Sequence, residues 1–144
     1  MKFASRTLLA LLLMLPRCGE PILASDAQEP QNEIGLMCAQ DLKRALLEHR
    51  TTLIDASGSA AFTRGHIPGA LDFEAAGAKF SSALPSNKQA LIVVYATELQ
   101  SPRKQVVLRA AQDLGYTNLA ALRGSFENWV EFGGQVETAS ATSR

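Results

Sequence analysis

The stretch ALIVVYA at residues 90–96 is apolar from its first residue to its last. An apolar run of this length is typical of a central strand in a parallel sheet, because helices cover both faces of such a strand. Strand patterns alternate with helix patterns on either side of it, and this alternation predicts an α/β fold with a mostly parallel sheet. Ligands in such sheets bind beyond the carboxyl ends of the strands, which directs attention to the loop that starts at Ala96.

The segment before this strand contains a helix pattern and a second strand pattern. A helix is predicted from Ala39 to His49, with an apolar face made of Cys38, Leu42, Ala45, Leu46 and His49. A strand is predicted at Thr51–Asp55, a short apolar and β-branched run that ends in a carboxylate. A further helix is expected from Glu74 to Ala83.

The segment after the strand begins with a helix whose two ends are marked. Ser101 suits the N-cap, Pro102 the first helical position and Gly115 the C-terminal end. The inward face of this helix is predicted to hold Val106, Val107, Ala110, Ala111 and Leu114. A short strand at Leu119–Leu122 follows, and then a last helix over 125–132 with Phe126, Trp129 and Val130 facing inward.

The composition is that of one globular domain. The chain has 144 residues, of which 47% are apolar and 19% are charged, so it can bury a single core. The formal net charge is +0, and nothing in it points to nucleic acid or to an anionic membrane surface. No apolar run reaches the roughly 18 residues that a membrane span needs.

The N-terminal segment has the pattern of a secretory signal. Lys2 and Arg6 precede an unbroken apolar run from Leu8 to Leu15, and the small residues Ala24 and Ser25 follow. Residues 1–25 are therefore predicted to be a signal peptide that exports the chain to a bacterial periplasm, the alternative being an apolar N-terminal tail. Residues 26–37 are predicted to be a linker and 139–144 a disordered tail. Lipid attachment at Cys18 is not predicted, because Arg17 stands where a small residue is expected.

Several short motifs, in a fixed order, carry a resemblance to a known family. They are Leu53-Ile54-Asp55, Gly65-His66-Ile67-Pro68-Gly69-Ala70, Ile92-Val93-Val94-Tyr95, Gly115-Tyr116-Thr117-Asn118-Leu119, and a closing pattern from Leu122 to Glu137 that includes Trp129. Together they resemble the rhodanese (sulfurtransferase) domain family. The resemblance implies a three-layer α/β/α fold with a mostly parallel central sheet over residues 38–138.

The resemblance ends at the residue on which rhodanese chemistry depends. The family carries a cysteine directly after the central strand, whose thiolate takes up sulfur as a persulfide, and here that position is Ala96. Counting back from Gly115 places the family's arginine at Arg103 and the cysteine at Glu98, so the loop is about two residues longer than usual. No cysteine follows Cys38. A methyl group has no lone pair with which to attack, so sulfurtransferase activity is not predicted.

A binding or accessory role is predicted instead, with a protein partner or a small anion at the 96–103 loop. The candidate binding residues are Asp55, Arg64, Ala96, Thr97, Glu98, Leu99, Gln100, Ser101 and Arg103. Arg103 and Lys104 could hold an anion at the helix N-terminus, or could form a solvated basic turn. Cys38 is either a buried small hydrophobe or a reactive thiol. The alternative function is an active thiosulfate-type sulfurtransferase that uses Cys38 or the thiol of a partner. His66 is expected to be a structural, hydrogen-bonded residue, and neither a metal site nor a cofactor is predicted.

Overall fold

The computed structural model of this protein describes residues 33–139, which form five strands and six α-helices. The strands are β1 (Gly35–Met37), β2 (Thr51–Asp55), β3 (Leu71–Asp72), β4 (Leu91–Tyr95) and β5 (Leu119–Leu122). They form one sheet in the order β1-β5-β4-β2-β3, and every pair of neighbours is parallel. The predicted α/β fold is confirmed, and β4 lies at the centre of the sheet as its apolar sequence predicts.

Helices cover both faces of this sheet. They are α1 (Ala39–Leu47), α2 (Ser59–Arg64), α3 (Phe73–Ala76), α4 (Phe80–Ala83), α5 (Pro102–Asp113) and α6 (Phe126–Glu131), with a 3-10 turn at Gly77–Lys79 between α3 and α4. One face packs against α3, α4 and α5, and the other packs against α1 and α6. Alternate residues of β4 enter the two cores, with Val94 on the α5 side and Val93 on the α1 side. The arrangement is a three-layer α/β/α domain.

Two stretches of backbone differ from the prediction. The last three residues of the predicted linker over 26–37 are strand β1, which pairs with β5. This strand is too short to show an alternating pattern. It is held in the sheet by β5, which is far away in the chain, so no local pattern reveals it. The helix expected from Glu74 to Ala83 is broken at Gly77, whose φ of 46° lies outside the helical region.

Several predicted inward positions are exposed to solvent. Val106 is 59% exposed and Val130 is 46% exposed, so both predictions were wrong. In α5 the buried residues are Lys104, Val107, Leu108 and Ala111, which means that the buried stripe is rotated from the predicted one. Cys38 and His49 are also exposed, so Cys38 is not the buried hydrophobe that its place on the apolar face of α1 suggested.

Some predictions fall on parts of the chain that the structure does not describe. The signal peptide at 1–25, Cys18 and most of the tail at 139–144 lie outside residues 33–139. Within 33–139, no helix has the length and apolar character needed to cross a membrane.

Candidate ligand-binding loop

The loop of residues 96–101 joins the carboxyl end of β4 to the first turn of α5. Its first residue, Ala96, is 1% exposed and packs within the core on the α5 side of the sheet. The Ala96 carbonyl accepts a hydrogen bond of 3.0 Å from the backbone N–H of Phe126 at the start of α6. The residue at the tip of the central strand is therefore a buried methyl group with a fixed backbone.

Ser57 ties the loop to the end of the neighbouring strand. The Ser57 hydroxyl oxygen accepts a 2.9 Å hydrogen bond from the backbone N–H of Thr97. Ser57 is in turn fixed by Asp55, whose Oδ1 accepts a 2.6 Å bond from the Ser57 N–H. Because the Thr97 N–H is already bonded within the protein, it is not free to bind an anion at the start of the loop.

Asp55 lies under this contact and is 2% exposed. The Tyr95 hydroxyl accepts a 3.0 Å hydrogen bond from the backbone N–H of Ile67. Burial, followed by the charge of Asp55 and a hydrogen bond to it, raises the pKa of Tyr95 well above its usual value. Asp55 thus bonds to buried groups of the protein, as a structural carboxylate does.

Lys104 is buried beneath the loop. It is therefore not part of a solvated basic turn, which was one of the two possibilities that the sequence left open. The residue is 7% exposed, and its Nζ donates to the Leu99 carbonyl at 2.8 Å and to the Gly124 carbonyl at 3.5 Å. Desolvation by burial lowers the pKa of this amine. The loop therefore turns a carbonyl oxygen toward an internal cation.

Arg103 points to the opposite side of the loop and already has a counter-ion. Its Nη1 lies 3.6 Å from Glu74 Oε2, and the same carboxylate oxygen accepts a 2.8 Å bond from the Ser59 N–H. A Cβ atom on Gly58 would lie 2.7 Å from that Nη1 and 2.8 Å from Glu74 Oε2. Glycine at position 58 therefore leaves the room that this ion pair occupies.

The other candidate loop residues are exposed or half-buried. Glu98, Leu99 and Gln100 are exposed, Thr97 is half-buried, and Ser101 is buried at the N-cap of α5 without a side-chain cap hydrogen bond. Arg64 is exposed at the end of α2. Within residues 33–139 its side chain makes no hydrogen bond or ion pair to the loop, so the structure does not bring Arg64 into this cluster.

His66 is the hydrogen-bonded structural residue that its motif predicts. Its Nδ1 lies 2.9 Å from the Phe62 carbonyl oxygen, and its ring stacks on the Phe62 ring with centroids 3.7 Å apart. Backbone hydrogen bonds of 2.8 Å run in both directions between His66 and Glu137. These contacts join the 65–70 segment to the end of the described chain.

Cys38 lies at the same end of the sheet as Ala96, but β5 separates the two. It directly follows β1, whose Met37 is in register with Leu122. Two strand spacings separate β1 from β4, which places Cys38 about 10 Å from Ala96 along the sheet. The Cys38 thiol is exposed and donates to Asp41 Oδ2 at 3.1 Å.

Within residues 33–139, no three or more His, Cys, Asp or Glu side chains lie close enough together to hold a metal ion. The ring of His66 is occupied by the contacts described above.

A sequence profile described as rhodanese-like domain matches residues 39–132, which is well over half of the chain. The chain belongs to the rhodanese-like domain family. Its five-stranded parallel sheet, with helices on both faces, is the rhodanese fold. The comparison with curated proteins finds no match.

Solved structures with the same fold include proteins named as sulfurtransferases. The Alr3790 protein from Anabaena sp. is 25% identical with a TM-score of 0.60, over 72% of this chain and 81% of that one. Thiosulfate sulfurtransferase from Pseudomonas aeruginosa is 24% identical with a TM-score of 0.62, over 73% of this chain but only 20% of that one. The 3-mercaptopyruvate sulfotransferase SseA from Escherichia coli is 18% identical with a TM-score of 0.59, over 75% of this chain and 53% of that one.

Among the residues of this rhodanese-like domain that shape the loop, Ser57, Glu74 and the buried role of Lys104 were missed. Ser57 and Glu74 reach the loop from distant parts of the chain, so no local pattern reveals them. Lys104 did leave a signal, because it stands three, four and seven residues before Val107, Leu108 and Ala111, which are buried on one face of α5.

Proposed function

We propose that this rhodanese-like domain has no sulfurtransferase activity and acts as a binding or accessory module through its 96–103 loop. The observation that carries the proposal is the buried methyl group of Ala96 at the tip of β4, in a loop that contains no cysteine. The ligand of this loop would be a protein partner or a small anion.

The chemistry of sulfur transfer supports the proposal. A sulfurtransferase thiolate attacks the outer sulfur of thiosulfate, keeps that sulfur as a persulfide and releases sulfite. The persulfide then passes its sulfur to an acceptor such as cyanide. Without the thiolate, only binding and electrostatic effects remain, and loss of a covalent nucleophile costs on the order of several powers of ten in rate.

Export to the periplasm is part of the proposal and is supported by the signal-like pattern of residues 1–25. A periplasmic accessory domain would meet its ligand outside the cytoplasm. Fractionation of cells that express the full chain tests this, since a shorter mature chain in the periplasmic fraction is expected and an uncut cytoplasmic chain would contradict it.

A second candidate function is sulfur transfer by Cys38, favoured by the exposure of its thiol at the carboxyl end of the sheet. Thiocyanate formation from thiosulfate and cyanide separates the two candidates. The proposal predicts the same background rate for the wild-type chain and for Cys38→Ser. Turnover in the wild type that disappears in Cys38→Ser would establish the second candidate instead.

A further inference from the structure

A cavity lies on the β5 side of the loop, away from Arg103 and Glu74. Its volume is 470 Å³, and it is bounded by the loop, the first turn of α5 and the carboxyl ends of β5 and β1. Apolar side chains form much of its wall, among them Leu36, Leu99 and Pro102. The cavity is large enough for a small organic molecule.

The charged side chains in the wall of this cavity are both positive. They are Lys104 and Arg123, and within the described chain no Asp or Glu is part of the wall. Glu98 lies in the loop but does not line the cavity, and Glu74 is paired with Arg103 on the other side of the loop. The cavity is therefore apolar with a cationic side.

Lys104 is a buried cation without a counter-ion. No carboxylate of residues 33–139 forms a salt bridge with it, and its partners are the carbonyl oxygens of Leu99 and Gly124. An ammonium group carries three donors, so one remains after these two bonds. A buried charge is costly unless an opposite charge pairs with it, so an anion that enters the cavity gains a strong electrostatic interaction.

The position of Lys104 in α5 adds to this attraction. Lys104 is the third residue of the twelve-residue helix, where the aligned peptide dipoles create a positive potential. A lysine at that place is unfavourable unless an anion is nearby. Arg123 is exposed at the mouth of the cavity and supplies a second cation that can bind a planar carboxylate in two-point geometry.

We infer that this cavity binds a small organic acid, with its carboxylate at Lys104 and Arg123 and its apolar body against Leu36, Leu99 and Pro102. The inference rests on the proposed function in taking the loop as a binding element, and it assigns the ligand to the β5 side of that loop. An inorganic oxoanion would satisfy the two cations but would leave the apolar wall without contacts, which is why an organic acid fits better.

Titration of the full chain with butyrate, followed by backbone amide NMR, tests the inference. Butyrate is expected to shift the amide signals of Lys104, Leu122 and Gly124 in a saturable way, whereas butyramide, its neutral isostere, is expected to leave them unchanged. Lys104→Met and Arg123→Gln are each expected to weaken binding by about tenfold or more, since each removes a charge-assisted hydrogen bond. Arg109→Met removes one charge from the exposed face of the same helix and should change the affinity less than about twofold.

Several outcomes would overturn the inference. Equal shifts with butyramide would show an apolar pocket rather than an acid site, and sulfate binding as tight as butyrate binding would exclude selectivity for organic acids. Loss of binding in Arg103→Met together with retention in Lys104→Met would place the anion on the other side of the loop. The comparison of butyrate with butyramide uses only the wild-type chain, so it tests the inference even if Lys104→Met does not fold. Thiocyanate production tests the proposed function separately, because it does not depend on butyrate.

Discussion

Ala96 stands at the tip of the central strand in surroundings that are already occupied by contacts within the protein. The residue is buried, the Thr97 N–H beside it is bonded to Ser57, and the Leu99 carbonyl is turned toward Lys104. A thiolate at position 96 would be desolvated, and the Thr97 N–H beside it would not be free to stabilise it. A cysteine introduced at this position would therefore lack water and this backbone donor around its sulfur atom.

We therefore expect Ala96→Cys to remain inactive. In a chain with Cys18 and Cys38 replaced by serine, incubation of this variant with thiosulfate should leave the intact mass unchanged, because the new thiol is buried and stays protonated. Intact-mass spectrometry checks this. A mass gain of one sulfur atom would show that the loop still accommodates the donor and that the cysteine alone was lost.

Ser57 is expected to stabilise the loop through a single hydrogen bond. Ser57→Ala removes the acceptor of the Thr97 N–H, and the free energy of unfolding should fall by about 1 kcal/mol. Denaturant unfolding measures the change. Ser82→Ala, at an exposed position of α4, is the matched control and should change stability by less than about 0.5 kcal/mol. Equal effects of the two substitutions would contradict the assigned role of Ser57.

At the scale of elements, sequence patterns located helices and strands better than they located faces. The runs at 51–55, 90–96 and 119–122 are strands β2, β4 and β5, because a buried parallel strand is apolar throughout. The edge strand β1 escaped prediction because it has only three residues, two of them exposed, and so few residues show no alternating pattern. The face of α5 was misjudged because Lys104 was taken as polar, although its long apolar stem can be buried while its amine bonds to carbonyls.

The sequence predicted where the loop lies in the sheet, but not which side chains contact it. Asp55, Ala96 and Arg103 all lie at the carboxyl end of the sheet, as parallel strand topology requires. The partners of the loop are Ser57, Glu74 and Gly124, which come from other elements and depend on tertiary contacts. Arg64 was included because its segment lies near the active-site face in the fold that the resemblance implies, yet its side chain makes no described contact with the loop.

The turn after α6 is expected to tolerate no side chain at one position. A Cβ on Gly134 would lie 2.1 Å from Trp129 Cε2, and this ring is held by a 2.8 Å hydrogen bond from Trp129 Nε1 to the Gln135 carbonyl. Gly134→Ala should therefore lower the free energy of unfolding by about 3 kcal/mol. Thermal or denaturant unfolding checks this.

Gly35→Ala is the matched control for this substitution. A Cβ at position 35 would make ordinary contacts of 3.6 and 3.7 Å with Leu119 and Ala120. We expect its effect to stay below about 1 kcal/mol. A Gly134→Ala protein as stable as Gly35→Ala would show that Trp129 can move aside freely.

For the whole molecule, the buried amine of Lys104 makes stability depend on pH. Burial lowers the pKa of Lys104 in the folded chain, whereas an unfolded lysine holds its proton up to about pH 10.4. Between these two pKa values the unfolded state binds more protons, so stability rises with pH in that window. The stability of the wild type relative to Lys104→Met should therefore increase as the pH approaches the usual lysine pKa.

Urea unfolding at a series of alkaline pH values measures this dependence. Lys43→Met, which removes a lysine from an exposed position of α1, is the matched control for the loss of one positive charge. A difference between the wild type and Lys104→Met that does not change with pH would contradict the prediction.

The lengths of the outermost strands have a consequence for how the molecule meets its own copies. β1 has three residues and β3 has two, while the inner strands have four or five. A sheet margin recruits further chains through its unpaired N–H and C=O groups, and margins this brief offer few of them. The inner strands can thus be strongly apolar while the short outer strands give further chains few positions at which to add cross-β strands at high concentration.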